Sequence, residues 1–142
     1  GVGLVDAFFQ GMVSRFAEEY PSLKTIRFHA FSVEAQLDTK QAHAGTDSEG
    51  AVTLEVANSD DRVFSFRHAS RSVTSAIVCA TRDALEHFIN GERAFVSLYH
   101  ALQDAKARNR SDLVQRFTNQ MATLVKNTSY SEVIDRLNKD LG

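Results

Sequence analysis

The spacing of apolar residues along the chain changes from helical to strand-like and then back to helical. Apolar positions recur every three or four residues from about residue 4 to about residue 19, which predicts an amphipathic helix ended by Pro21, the only proline. The period then becomes two. The alternation slips by one residue at Ala30–Phe31, and such a slip predicts a β-bulge. Two further alternating runs, Val52–Val56 and Phe64–His68, predict two more strands.

Polar segments of turn composition separate the three alternating runs. Residues 38–50 are polar and carry Gly45 and Gly50, so we expect a loop there. The segment Asn58–Asp61 has the residue types of a turn between antiparallel strands. The three runs therefore predict an antiparallel meander with one apolar face.

Helical spacing returns after the third run and continues to the end of the chain. Ser70–Ser72 offer capping hydroxyls to a helix that we expect to end at Gly91 and to resume at Glu92. Further helices are predicted from Ser111 and, behind a capping box at Ser129–Glu132, near the end of the chain. The predicted fold class is α+β, with an N-terminal helix, a three-stranded antiparallel sheet, a long helix and a C-terminal helical tail.

The predicted break at Gly91 also suggests how the chain is divided. Residues 1–91 would form an α+β part, and residues 92–142 would form a helical extension packed on that part or on a partner. A chain of 142 residues is long enough to bury a hydrophobic core.

The amino-acid composition limits the kinds of partner and the cellular compartment that we expect for this protein. The chain has 16 basic and 18 acidic side chains, so no excess of positive charge points to nucleic acid or to an anionic membrane surface. A single cysteine, Cys79, excludes an internal disulfide and fits a reducing cytoplasm. No apolar run approaches the roughly 20 residues that span a bilayer. We therefore expect a cytoplasmic protein that binds neither nucleic acid nor membrane.

Residues that could support catalysis do not form a recognisable pattern. Gly1-Val2-Gly3 follows no strand and is not a dinucleotide-binding fingerprint. None of the five histidines has a zinc-ligand spacing with Cys79 or with another histidine, and we expect structural roles for them. We therefore expect no metal, no cofactor and no catalytic residue, and an independent small enzyme is the least favoured reading. The histidines are His29, His43, His68, His87 and His100.

Three segments favour a binding role instead. Asp6 stands near the start of the first helix, where it could cap the helix or hold a cation. Thr46 and Asp47 lie between two glycines and could line a pocket. Ser70–Ser72 stand where a strand becomes a helix, a place suited to a carboxylate or phosphate, although these serines could equally serve only as helix caps. If the segments meet, Asp6 or Asp47 would hold an ammonium group and the helix start a carboxylate, and these two groups describe a free amino acid.

The same segments resemble a known regulatory domain. Gly1–Ala7, Gly45–Val52 and Ser70–Val73 together are similar to the C-terminal domain of 2-isopropylmalate synthase and of its relatives citramalate and homocitrate synthase. In that family the domain dimerises and binds an end-product amino acid as a feedback inhibitor. The resemblance covers about residues 1–90, and it implies a homodimer joined to the catalytic domain of an acyltransferase of branched-chain amino-acid biosynthesis. Leucine or isoleucine would be the effector, and the chain alone would be non-catalytic.

The resemblance also implies which residues bind the effector, at an interface between two such domains. One position departs from the family, because Arg71 stands where an acid is usual. This leaves an alternative open, in which the chain is a purely structural oligomerisation module that has lost its effector site. The strands that precede the glycine motif in the family would have to be supplied from elsewhere. The implied effector-binding residues are Val5, Asp6, Phe28, Thr46, Asp47, Ala69, Ser70 and Arg71.

Overall fold

The protein has the predicted α+β architecture, as a computed structural model that describes residues 2–35 and 49–141 shows. An N-terminal helix precedes a three-stranded antiparallel sheet, and a long helix and two shorter helices follow the sheet. A short 3-10 helix, Pro21–Thr25, connects the first helix to the first strand. The helices are α1 (Val2–Phe16), α2 (Val73–Ala107), α3 (Ser111–Leu124) and α4 (Ser131–Leu141), and the strands are β1 (Arg27–Ala35), β2 (Gly50–Ala57) and β3 (Val63–Ser70).

The sheet is the predicted meander, with β2 between β1 and β3. The register of β1 and β2 shifts between Phe28 and Ala30, so the bulge lies at His29, next to the predicted position. Asn58–Asp61 form the predicted turn, in which Asp61 has a positive φ of 63°. Asp adopts this left-handed conformation more readily than most residues do.

The main core lies between the sheet and the helices α1 and α2. Alternate residues of β2 point to this side, which is why Val52, Leu54 and Val56 are fully buried. Helix α2 presents alanines to the sheet, and these small side chains allow the helix to approach it closely. The helical residues of this core include Phe9 and Val13 of α1 and Ala76, Ala80, Ala84 and Phe88 of α2.

Helix α1 is shorter at its C-terminal end than predicted. It ends at Phe16 and a turn covers residues 17–19, so Pro21 begins the 3-10 helix and does not itself stop α1. Glu18 and Glu19 follow the end of α1, where the negative end of the helix dipole disfavours acidic residues. The apolar spacing continues past Phe16 because Ala17 is buried against the core without being helical.

The predicted helix end at Gly91 is wrong, because α2 is one helix of 35 residues. Gly91 is instead a place of close packing: a Cβ atom there would lie 2.8 Å from Nδ2 of Asn127 and 2.9 Å from the Tyr130 hydroxyl. The helix ends in a Schellman motif at Asn109, whose φ is 54°. In this motif the Arg110 N–H donates to the Ala105 carbonyl at 2.9 Å. Three helices, not four, therefore follow the sheet.

The C-terminal helices fold back against α2 and the 3-10 helix. A second apolar cluster contains Phe95, Tyr130 and Val133, and the rings of Phe95 and Tyr130 stack at 4.5 Å. The buried Glu92 carboxylate accepts a hydrogen bond of 2.8 Å from the backbone N–H of Ser22, which joins α2 to the 3-10 helix. The division predicted at residue 91 therefore falls inside a single helix that packs on both sides of it.

No helix in the ranges 2–35 and 49–141 is both long enough and apolar enough to cross a membrane, and this holds even for α2.

Candidate functional site

An apolar cavity of about 420 Å³ lies where the start of α1, the second half of β1 and the start of α2 meet. Seven of the eight described residues that line it are apolar. Its volume lies in the range of about 300 to 1,000 Å³ that small-molecule sites occupy. The lining residues are Val2, Leu4, Val5, Phe31, Ser32, Val33, Val73 and Ile77.

The cavity lies at the end of the sheet that the predicted binding segments share. Ala35 pairs with Gly50, and Gly50 pairs with Ser70, so the ends of β1 and β3 flank the start of β2. Helix α2 begins three residues after Ser70 and contributes Val73 to the cavity wall. The structure thus brings together two of the three predicted segments, the start of the chain and the Ser70–Ser72 helix start.

The rim of the cavity is unusually apolar for a protein surface. Among the described residues, large hydrophobic side chains are rarely this exposed, and four of the exposed ones belong to this single site. Leu4 is 75% exposed, Val2 54%, Val33 48% and Val73 44%. Contiguous apolar surface of this kind marks a place where a ligand or another chain binds.

The start of α2 supplies the polar groups beside the cavity. As predicted, a serine hydroxyl caps it: Ser72 Oγ accepts from the Ser75 N–H at 3.2 Å. Ser70 Oγ accepts from the N–H of Ser72 itself, also at 3.2 Å. The backbone amides of Val73 and Thr74 precede the first intrahelical hydrogen bond, so α2 offers them no acceptor. With the positive end of the helix dipole, they favour an anion here.

Asp6 does not occupy the position expected of a helix cap. Helix α1 begins at Val2, so Asp6 lies in the second turn of the helix. The backbone N–H groups of that turn already have acceptors within the helix and need no cap. The side chain is half-buried and forms no hydrogen bond or ion pair with the described residues. It directly follows Val5, a buried residue of the cavity wall, but is not itself among the described residues that line the cavity.

The other predicted site residues lie apart from the cavity wall or outside the described chain. Phe28 pairs with Val56 towards the opposite end of the sheet, where its ring packs 6.4 Å from that of Phe9. Ala69 is exposed on the sheet face away from the helices, and Arg71 is exposed beyond β3. Thr46 and Asp47 lie outside the described residues.

Of the eight described wall residues, only Val5 was among the predicted effector-binding residues. Val2, Leu4 and Val73 lie in the predicted segments, whereas four wall residues lie outside them: Phe31, Val33, Ser32 and Ile77. The signal for the first two was present, because after the bulge the apolar phase of β1 places Phe31 opposite Leu54 and Val33 opposite Val52, on the core side. Ile77 lies one helical turn after Val73 and therefore shares its face of α2.

The titratable side chains form no metal site in the ranges that the structure describes, where no three His, Cys, Asp or Glu side chains converge. Cys79 is a half-buried free thiol within α2. Burial raises the pKa of the Tyr130 phenol above its ordinary value, and the Glu92 carboxylate adds to this rise. The Asn127 amide lies beside the hydroxyl and opposes the shift in part, without completing a hydrogen bond of good geometry.

Fold and site together define a small α+β domain with an apolar cavity between two helix starts. Comparisons with protein-family models, with curated proteins and with solved structures find no match to this chain.

Proposed function

We propose that this chain is the effector-binding and dimerisation domain of an acyltransferase similar to 2-isopropylmalate synthase, and that it acts in the cytoplasm. A branched-chain amino acid, leucine before the others, would inhibit the enzyme by binding to this domain. The observation that carries the proposal is the cavity. Its walls are aliphatic and aromatic, its volume suits a small ligand, and it joins two of the three segments on which the family resemblance rests.

Each part of an amino acid has a counterpart at this site. A branched aliphatic side chain would fill the cavity between Val5 and Ile77, because burying its carbons there removes apolar surface from water. The carboxylate would meet the free amides of Val73 and Thr74 at the start of α2. The ammonium group would pair with Asp6, whose carboxylate has no partner among the described residues.

Inhibition would follow from thermodynamic linkage between this domain and the catalytic domain of the enzyme. An effector that binds one arrangement of the domains more tightly than another shifts the equilibrium by the difference in its binding free energy. Because α1 and α2 both border the cavity, their relative position can differ between the empty and occupied states. The exposed rim residues would be covered by the second domain of the homodimer, which would close the cavity from solvent.

A second candidate function, a structural oligomerisation module without an effector, is favoured by the same exposed rim. Four exposed apolar side chains around one cavity would suit an interface that never admits a ligand. In this alternative the exposed Arg71, which stands where the family usually has an acid, marks the loss of the site. The two candidates differ in one measurable property, the binding of a free amino acid.

Isothermal titration calorimetry of the chain with leucine, isoleucine, valine and lysine distinguishes the candidates. We expect leucine or isoleucine to bind and lysine not to bind, because none of the described residues of the cavity wall is an acid that could pair with a second ammonium group. The variant Asp6→Asn should weaken binding about tenfold or more, as expected for the loss of a charged hydrogen-bond acceptor.

Asp135→Asn is the matched control, because Asp135 is also a helical aspartate but is exposed on α4. Its affinity for the effector should equal that of the unmodified chain. Full affinity in Asp6→Asn would remove Asp6 from the site. A chain that dimerises and binds none of the four amino acids would overturn the effector proposal in favour of the structural module.

A further inference from the structure

A second concave site lies at the opposite end of the sheet, between the start of β3, the middle of α2 and the connection from α3 to α4. We call it the basic groove. It has a volume of about 520 Å³ and lies at the end of the sheet where Ala57 pairs with Val63. The described residues that line it are Arg62, Phe64, His87, Asn90, Gly91, Ala94, Thr123, Leu124, Lys126 and Asn127.

The charge of the basic groove is opposite in sign to that of the whole chain. Arg62 and Lys126 both line it, and none of its described lining residues is acidic, whereas the chain has a formal net charge of −2. Neither cation forms an ion pair with the described residues. The nearby acid of the turn, Asp61, is already paired with Arg27. The groove therefore presents two uncompensated positive charges.

One buried side chain holds both cation-bearing segments in place. Asn58 is fully buried, and its Oδ1 accepts from the Arg62 N–H at 2.9 Å. Its Nδ2 donates to the carbonyl oxygens of Asn127, at 2.7 Å, and of Lys126, at 3.4 Å. These contacts fix the backbone at Arg62 and Lys126 relative to each other, so both cations extend towards the groove from segments that are held in place.

The floor of the groove is apolar and aromatic. The Arg62 guanidinium lies over the Phe64 ring, 5.0 Å from its centre, which holds its planar donors beside the groove. The centres of the Phe64 and His87 rings are 5.4 Å apart. Across the groove, His87 Nε2 is hydrogen-bonded to Asn127 Oδ1 at 2.7 Å. Because Gly91 has no side chain, the α3–α4 connection can approach α2 here and form the far wall.

We propose that the basic groove binds a small organic oxyanion, a carboxylate or a phosphate monoester with an apolar body. Arg62 would bind two oxygens of the anionic group through its fork of N–H donors, and Lys126 would act as a second point charge. The body of the ligand would lie on Phe64 and Leu124. This site is separate from the effector cavity and does not depend on it.

Titrations followed by two-dimensional ¹H–¹⁵N NMR test the proposal with four probes: phenyl phosphate, phenylacetate, inorganic phosphate and benzyl alcohol. We expect phenyl phosphate or phenylacetate to shift the amide signals of Phe64, Gly91 and Asn127 with millimolar affinity, which is usual for fragments of this size. Binding of only one of these two would identify the anionic group. Benzyl alcohol should not cause these shifts, and inorganic phosphate should bind more weakly than phenyl phosphate because it lacks the apolar body.

The double variant Arg62→Gln/Lys126→Gln should weaken binding of the oxyanion probe at least about tenfold, since it removes both charges. Arg67→Gln/Lys139→Gln is the matched control, because both residues are exposed cations outside the groove, and it should bind as the unmodified chain does. Equal shifts with benzyl alcohol, equal affinity for inorganic phosphate, or unchanged affinity in the first double variant would each overturn the proposal.

Discussion

Asn58 shows how much of this fold can depend on one polar side chain. It directly follows β2, it is fully buried, and its amide group makes four hydrogen bonds to backbone atoms. Two of these lie within the turn, to the N–H groups of Asp60 and Arg62, and two reach the connection between α3 and α4. The sequence identified Asn58 as a turn residue, but the contact with residues 126–127 is a tertiary one that no local pattern encodes.

We predict that Asn58→Ala lowers the free energy of unfolding by about 3 kcal/mol, because it leaves buried backbone donors and acceptors without partners. Urea denaturation followed by circular dichroism measures the change. Asn119→Ala, an exposed position on α3, is the control and should change stability by less than about 0.5 kcal/mol. A similar small loss for Asn58→Ala would mean that water replaces its hydrogen bonds.

At the scale of elements, the end of α2 depends on Asn109 and not on glycine. Asn109 adopts the left-handed conformation, with φ of 54°, and its N–H donates to the Lys106 carbonyl at 3.1 Å. Glycine adopts this conformation without the steric cost of a Cβ atom. The same replacement inside a helix has the opposite effect, since glycine there loses more conformational entropy than asparagine.

Asn109→Gly should therefore raise the free energy of unfolding by about 0.5 to 1 kcal/mol, and Asn109→Val should lower it by about 1 to 2 kcal/mol. Thermal unfolding followed by circular dichroism can rank the three proteins. Asn119→Gly, in the exposed interior of α3, supplies the control, and a loss of a few tenths of a kcal/mol is expected there. A destabilised Asn109→Gly would show that the asparagine side chain itself holds the helix end.

The elements themselves were largely predictable because their apolar periods are regular. The meander, the bulge beside Ala30 and the starts of α3 and α4 all follow from spacing and turn chemistry. The break predicted at Gly91 failed because glycine has two uses that look alike in sequence, helix termination and close packing. Only the positions of Asn127 and Tyr130, more than 30 residues away, reveal which use applies.

The candidate site was predictable to a smaller extent. Val5 and the start of α2 do meet, but Ala69 lies on the other face of β3 from its neighbour Ser70. A motif gives the order of residues, whereas the pleat of a strand decides which of two neighbours faces the helices. The basic groove could not be predicted, because its two cations come from segments more than 60 residues apart that a buried amide joins.

At the scale of the whole molecule, the apolar cavity and the basic groove lie at opposite ends of one sheet. The apolar cavity has an exposed apolar rim, and the basic groove has two cations that form no ion pair with the described residues. This separation allows one end to be covered by a second copy of the domain while the other remains open to solvent. The proposed dimer therefore needs the rim of the cavity and does not need the groove.

A charge placed on the rim tests this arrangement directly. Leu4 is the most exposed of the large apolar side chains in the described part of the chain, and lysine is tolerated on the surface of a helix, so Leu4→Lys should fold normally. If the rim forms the dimer interface, the buried ammonium group should raise the dimer dissociation constant at least about tenfold. Analytical ultracentrifugation over a range of concentrations measures that constant.

Val63→Lys places the same charge on another exposed apolar residue, 40% exposed, at the other end of the sheet, and it should leave the dimer intact. A dimer that is equally stable in both variants would place the interface elsewhere, and a chain that is monomeric without any substitution would refute dimerisation through the rim.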